Sequence, residues 1–207
     1  MVEVAGRPFL ETIIRHLADQ DFRRILLLLG YLGERIVNHF GDGRSCGVKL
    51  DYAWEKSPLG TGGAIRNALD KLEEDFLLLY GDSYLPIDYQ PVAAAFRQSQ
   101  ALGLIVVYDN RRGDTGVPEN VATDDQGWVT RYAKGEGGSN LRYVEAGVLS
   151  FRRQVFVDLP VGRAMALEQE IYPKLIAARQ LFSFISGHRF YDIGTPERLE
   201  EFVAIRR

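Results

Sequence analysis

The segment that most constrains the fold is Phe76-Leu77-Leu78-Leu79-Tyr80-Gly81-Asp82-Ser83. Five apolar residues run without polar alternation, so both faces need burial, as in a central parallel strand. Gly81 ends the run and a carboxylate follows at once. In open α/β sheets the ligand crevice lies beyond the carboxyl ends of the strands, which would put Asp82 at the floor of a site. An acid there needs a partner, and a metal ion is the simplest one. The competing reading is that Asp82 opens a turn or caps a helix.

Around that strand the chain alternates. Phe9, Ile13, Ile14 and Leu17 mark one face of a helix to about residue 19. A buried strand follows over 25–29, a helix over 32–40, and an alternating strand over 48–54. A glycine-rich segment leads into a helix ending near residue 72; beyond the opening strand come a helix over 91–102 and a strand over 104–108. Strict alternation predicts an α/β fold with a mainly parallel open sheet and helices on both faces. From 111 to 140 Gly, Asp, Asn and Arg dominate, with weak strands at 120–123 and 129–133. Strands at 143–151, 181–185 and 188–191 and helices at 167–178 and 196–205 complete the pattern, with Thr195 as N-cap and Pro196 at the first helical position. The expectation is one domain over 1–207, its first half to residue 110. Its first substantial element is a helix, with only Met1–Ala5 ahead of it, so the alternation is entered in mid-phase.

Length and charge narrow the function. A chain of 207 residues can bury a substantial core. A net charge of −3 gives no basic footprint for nucleic acid. Cys46 is the only cysteine, so there is no internal disulfide and no cysteine-rich metal site. No apolar run approaches the roughly 18 residues of a membrane span, and the first residues lack the order of a signal peptide. A cytoplasmic protein is expected.

Several residues could carry chemistry. In Leu59-Gly60-Thr61-Gly62-Gly63-Ala64 the glycines let backbone N–H groups approach a phosphate or nucleotide at a helix start; the alternative is a helix start that needs glycine only for tight packing. The segment is not a Walker loop, and Ile65 stands where the dinucleotide fingerprint needs glycine. Asp192 ends a second short apolar segment before Gly194-Thr195-Pro196. Two acids that each close a strand could share one Mg²⁺ bridging substrate phosphates, or Asp192 could serve the last helix alone. Lys134 is either a solvated surface charge or a phosphate ligand. Glu145 interrupts an apolar strand, so it either faces an edge or points at a ligand. Glu168 and Glu170 lie on different faces of a helix, so only one can reach a site. His16, His39 and His188 have no metal-ligand spacing.

With these motifs the sequence resembles the sugar-1-phosphate nucleotidyltransferases, or nucleotide-sugar pyrophosphorylases, most closely their mannose- and heptose-phosphate guanylyltransferase branch. The matching stretches are Val2-Glu3-Val4-Ala5-Gly6-Arg7-Pro8-Phe9-Leu10, Gly30-Tyr31-Leu32-Gly33-Glu34, Leu59 to Ala64, Tyr80-Gly81-Asp82-Ser83, Glu145-Ala146-Gly147-Val148, Leu167-Glu168 and Asp192-Ile193-Gly194-Thr195-Pro196-Glu197. The resemblance implies transfer of a nucleotidyl group from an NTP to a sugar 1-phosphate, giving an NDP-sugar and pyrophosphate. It implies that Asp82 and Asp192 hold Mg²⁺, that Gly60, Thr61, Gly62 and Gly63 contact base and ribose, and that Gly30 and Tyr31 lie near the base. Lys134 would contact the sugar-linked phosphate, and Glu145, Gly147 and Glu168 the sugar. The first half would bind nucleotide and the second, 111–207, sugar; a homo-oligomer is left open.

Two departures stand out. Ala133 occupies a position where the family often has an acid. The family also carries a first strand, a Gly-Thr-Arg phosphate loop and a Pro-Lys-Pro lysine ahead of the stretch matching Met1 to Val4. The expectation is therefore a native chain that starts earlier or a truncated gene, and a native mass near 23.3 kDa would exclude the earlier start. A non-catalytic binder of a nucleotide-sugar or a protein partner is the alternative. A nicotinamide-dependent oxidoreductase is disfavoured by the missing third glycine.

Overall fold

The computed structural model describes residues 1–133 and 140–205. A small hairpin of β1 (Glu3–Val4) and β2 (Arg7–Pro8) leads into α1 (Phe9–Ala18). There follow β3 (Arg24–Leu29), α2 (Gly33–Phe40), β4 (Lys49–Trp54), α3 (Gly60–Asn67), β5 (Asp75–Leu79), a short β6 (Ser83–Tyr84), α4 (Gln90–Ser99) and β7 (Gly103–Tyr108). A ribbon of β8 (Val121–Thr123) and β9 (Val129–Tyr132) precedes β10 (Val144–Arg152). The rest comprises α5 (Tyr172–Ala177), β11 (Leu181–Ser186), β12 (Tyr191–Asp192) and α6 (Pro196–Ile205).

The fold is α/β around a four-stranded sheet in the order β11-β7-β10-β5. β7 and β11 are parallel, whereas β10 runs antiparallel to both β7 and β5. Its reversal follows from what precedes it: β10 is reached from the β8–β9 ribbon, not through the crossover helix that a parallel neighbour requires. β3 and β4 form a separate parallel pair, and β6 pairs antiparallel with β12.

Period-two alternation distributes the core to both faces of the sheet. Leu104 and Val106 of β7 join Val144 and Ala146 of β10 on one face, under Phe9 and Ile13 of α1, Phe96 of α4 and Phe202 of α6. Ile105 and Val107 join Leu149 and Phe151 on the other, under Ile65 of α3 and Tyr172 and Leu175 of α5. A third cluster binds Ile14 and Ala18 of α1 to Phe40, Val48 and Leu50 beneath the β3–β4 pair.

Some elements differ from the sequence expectation. The helix expected to run to residue 72 ends at Asn67 and a 3₁₀ turn, Leu69–Lys71, follows. The helix expected over 167–178 begins as a π-helical turn, Leu167–Ile171, and becomes α-helical only at Tyr172. Pro173 is the physical reason, since it has no N–H for the regular ladder and belongs in the first turn of a new helix. The last strand is shorter than 188–191 suggested; only Tyr191 and Asp192 pair. Thr195 does cap α6, its Oγ1 accepting from the Arg198 N–H at 3.4 Å. Among the described residues no helix is long and apolar enough to cross a membrane.

Candidate functional site

The apolar run opens as β5, and Gly81 and Asp82 follow its carboxyl end, exposed. β6 then pairs with β12 in a register that sets Ser83 opposite Asp192, and Ile193 N–H donates to the Asp82 carbonyl at 3.0 Å. Two acids 110 positions apart in sequence are thereby brought onto adjoining strand ends. Asp82 Oδ1 accepts from Ser83 Oγ at 3.1 Å. Asp192 is held more firmly: Arg198 Nη1 donates to both its oxygens at 3.1 and 3.2 Å, and Gly194 N–H donates to Oδ1 at 3.0 Å. Arg198 is fixed in turn by donating to the Gly116 carbonyl at 2.8 Å.

Gly147 connects this corner to the sheet. Its φ of +73° lies where only glycine is at ease, and an added Cβ would come within 2.8 Å of Ser83 Cβ. The same residue sits in a register shift of β10 between Glu145 and Leu149, and its carbonyl accepts from Tyr80 N–H at 3.1 Å. Ordinary alternation along β10 puts Glu145, opposite Val107, on the α5 side. There it is buried, with Tyr172 Oη donating to Oε2 at 3.1 Å and the Tyr80 and Tyr132 hydroxyls near enough to pull on its carboxyl. Burial is the main effect on this acid and pushes its pKa up to about 7, against the opposing pull of the three hydroxyls. Glu168 stands close enough to add to the same upward shift. Burial and the neighbouring carboxylates raise all three tyrosines, so they remain hydrogen-bond donors at any ordinary pH. Of the two helical acids Glu168 is the one at this cluster, while Glu170 pairs with Arg163 at 2.8 Å.

The glycine segment divides into two parts. Gly62 and Gly63 are buried, and their N–H groups donate to the Met165 carbonyl at 2.9 and 3.3 Å. A Cβ on Gly63 would lie 2.4 Å from the Arg163 carbonyl oxygen. These two glycines therefore serve close packing against the chain at 163–165. Gly60 is exposed and Thr61 half-buried, and both line a groove together with Glu55, Tyr80 and Gly81. Gly30 follows β3 beside Glu55, and Tyr31 is 94% exposed. Lys134 lies outside the described residues.

Sequence reasoning did not single out Tyr80, Tyr132 and Tyr172 as a group, nor Arg198. It also passed over Asp109 at the end of β7, which is buried and bonded by Arg111, with Nε to Oδ1 at 2.8 Å, and by Arg142; the Arg111 guanidinium chiefly holds its carboxyl well below the usual range. Among the described residues no three His, Cys, Asp or Glu side chains cluster as a complete protein-only metal site.

A sequence profile of the family described as nucleotidyl transferase matches residues 1–205. The chain belongs to that family. Within it the chain is 30% identical over 207 residues to the D-glycero-alpha-D-manno-heptose 1-phosphate guanylyltransferase of Campylobacter jejuni, covering 98% of this chain and 88% of the relative. It is 28% identical over 200 residues to the mannose-1-phosphate guanylyltransferase of Mycobacterium tuberculosis, covering 95% of this chain and only 55% of that relative. Among solved structures, HddC from Yersinia pseudotuberculosis superposes with a TM-score of 0.84 at 26% identity, covering 100% of this chain and 89% of that one. HddC has also been solved in complex with GMP-PN, and this chain matches that complex with a TM-score of 0.83. The nucleotidyl transferase relatives are thus enzymes that join nucleotides to sugar 1-phosphates.

Proposed function

We propose that the chain carries the machinery for transferring a nucleotidyl group, preferentially guanylyl, from an NTP to a hexose or heptose 1-phosphate, releasing pyrophosphate. The observation that supports this reading is the pairing of β6 with β12, with Ser83 opposite Asp192 and the Asp82 carbonyl bonded by Ile193 N–H, which brings the two acids onto adjoining strand ends. Two carboxylates with no third acid clustered on them among the described residues fit Mg²⁺, which keeps several waters and takes its remaining ligands from substrate phosphates. When bound, the cation would neutralise phosphate charge at the reacting phosphorus. Arg198 fixes the orientation of the Asp192 carboxyl, so one ligand is aimed in advance. Gly60 and Thr61, at the exposed start of α3, would contact the nucleotide, with Gly30 and Tyr31 towards the base. Glu145, Gly147 and Glu168 would form the sugar side, where a carboxyl among hydroxyls offers acceptors and donors to sugar hydroxyls. On the resemblance alone, Lys134 would contact the sugar-linked phosphate. Alignment of two polyanions is most of what this chemistry requires.

Thermal shifts across a panel of NTPs and NDP-sugars with Mg²⁺ test the reading, since a ligand stabilises only the state that binds it. GTP and GDP-sugars should raise the melting temperature more than their uridine counterparts. A chain stabilised by NAD(P)H and by no NTP or NDP-sugar would overturn the assignment. In a form that releases pyrophosphate, Asp82→Asn should keep the fold and lower the rate by roughly a hundredfold or more; near-normal turnover would remove Asp82 from the metal site.

A further inference from the structure

Asp192 is reached by a chain of contacts that begins at the end of β7. There the buried Asp109 caps a 3₁₀ turn, Asn110–Arg112, by accepting from the Arg111 N–H at 3.1 Å. The segment that follows spends its polar side chains on itself. Asn110 Oδ1 accepts from Thr115 Oγ1 at 2.8 Å, and Asn110 Nδ2 donates to the Val117 carbonyl at 2.9 Å. Thr115 Oγ1 accepts in turn from the Val117 N–H at 3.3 Å, and Asp114 Oδ1 from the Gly116 N–H at 2.8 Å. Thr115 is buried and Val117 packs on the first core cluster, so the loop is tied down on both sides of Gly116.

What this loop presents outward is one carbonyl. Gly116 is exposed with a φ of +68°, and a Cβ there would meet nothing within 4 Å, so glycine is needed for the backbone angle and not for space. Its carbonyl takes the Nη2 donation of Arg198, 82 positions on, while Nη1 of the same guanidinium holds Asp192. A planar fork bound on both arms cannot swing, and a lysine ammonium does not reproduce that from a single point. α6 itself does not need this link, since Thr195 caps it and Phe202 is fully buried in the first cluster. The donations also sort the two Asp192 oxygens. Oδ1 accepts from both Gly194 N–H and Arg198, whereas Oδ2, among the described residues, accepts from Arg198 alone. With about two lone-pair sites on each carboxylate oxygen, room for a cation is left at Oδ2.

We propose that the loop over 110–117 is a positioning device for the reaction: it holds Arg198 through the Gly116 carbonyl, and Arg198 presents the Asp192 carboxyl with Oδ2 open to the cation. Asn110, Thr115 and Arg198 are then positioning residues that act through Asp192. This rests on the reading that Asp82 and Asp192 hold the cation. Groups that orient a metal ligand from behind affect metal affinity strongly even though they never touch the ion.

Mn²⁺ titrations of the full chain, read by the electron-spin resonance of the free ion, test this without turnover. Arg198→Lys keeps the charge but loses the fork, and should weaken Mn²⁺ binding by roughly tenfold. Thr115→Val removes the bridging hydroxyl at nearly constant shape and should weaken binding by roughly threefold or more. Thr115→Ser, which restores the hydroxyl, should return it to within about twofold of the wild type. Because the loop acts through Arg198, adding Thr115→Val to Arg198→Lys should weaken binding no further. Wild-type affinity in either single variant would overturn the proposal. So would a failed serine rescue, or additive losses in the double variant, which mark general loosening of the fold. If the wild type binds Mn²⁺ no more tightly than Asp82→Asn, the cation reading fails and the proposal falls with it. A site lost in Asp82→Asn but indifferent to Thr115 and Arg198 leaves that reading standing and removes the proposal alone.

Discussion

Glu145 is the residue whose chemistry can be argued furthest. It interrupts an otherwise apolar strand, which in the sequence left two readings, an edge position or a ligand-facing one. The structure removes the edge, since β10 lies between β7 and β5. What the sequence could not reveal was the set of hydroxyls around it: Tyr80, Tyr132 and Tyr172 come from three separate elements, and nothing in their spacing links them. Linkage gives a consequence. Between the ordinary glutamate value of 4.5 and about 7 the folded chain keeps a proton that the unfolded chain has released. Stability therefore falls as pH rises through that window, by roughly 3 kcal/mol in full. Glu145→Gln removes the titration. The variant should match the wild type at pH 4 and gain on it steadily up to pH 8 in denaturant titrations. Parallel stability curves across that range would show that Glu145 is not held protonated.

At the scale of elements, most of the helices and strands were legible because their apolar periods are unambiguous. The misses have local causes: Pro173 recasts a helix start as a π turn, and α3 ends where Ala68 gives way to a tighter turn. The glycine segment before α3 was legible as special but not as to purpose, because close packing and ligand approach both call for glycine. The geometry gives Gly62 and Gly63 to packing, while Gly60, whose added Cβ would also meet the Met165 carbonyl oxygen at 2.7 Å, and Thr61 line the groove. This makes Gly63→Ala informative. In an ordinary helix the change stabilises by about 1 kcal/mol. Here the new methyl would meet the Arg163 carbonyl at 2.4 Å, a backbone atom that cannot swing aside, so a net loss of roughly 1–3 kcal/mol is expected. Gly81→Ala, which meets nothing within 4 Å, should change stability by less than about 0.5 kcal/mol. Equal midpoints for the two variants in urea would refute the packing role.

For the whole molecule, the fold class was readable from the alternation of strands and helices, whereas Asp82 and Asp192 reach adjoining positions through the antiparallel pairing of β6 with β12, a separate two-stranded sheet that the sequence did not announce. The separation of the β3–β4 pair from the four-stranded sheet was not readable, since strand periodicity says nothing about which edges pair. That division should govern how the protein opens. The β3–β4 pair is joined to the rest through α1, which contributes to the first and third clusters, and through polar ties at one end of the groove. There Arg24 meets Glu73, and Lys71 Nζ donates to the Tyr52 carbonyl at 2.6 Å. Exposed ties of this kind contribute about 1 kcal/mol or less each, whereas β7 and β10 are buried under helices on both faces. The β3–β4 pair with α2 should therefore open as a unit below the free energy of global unfolding. In hydrogen exchange at increasing sub-denaturing urea, Ile25, Leu27 and Leu29 should merge into a shared isotherm lying at least about 2 kcal/mol below that of Leu104 to Val107. If the two sets of amides share one isotherm, the molecule unfolds as a single cooperative body and the groove is no mechanical boundary.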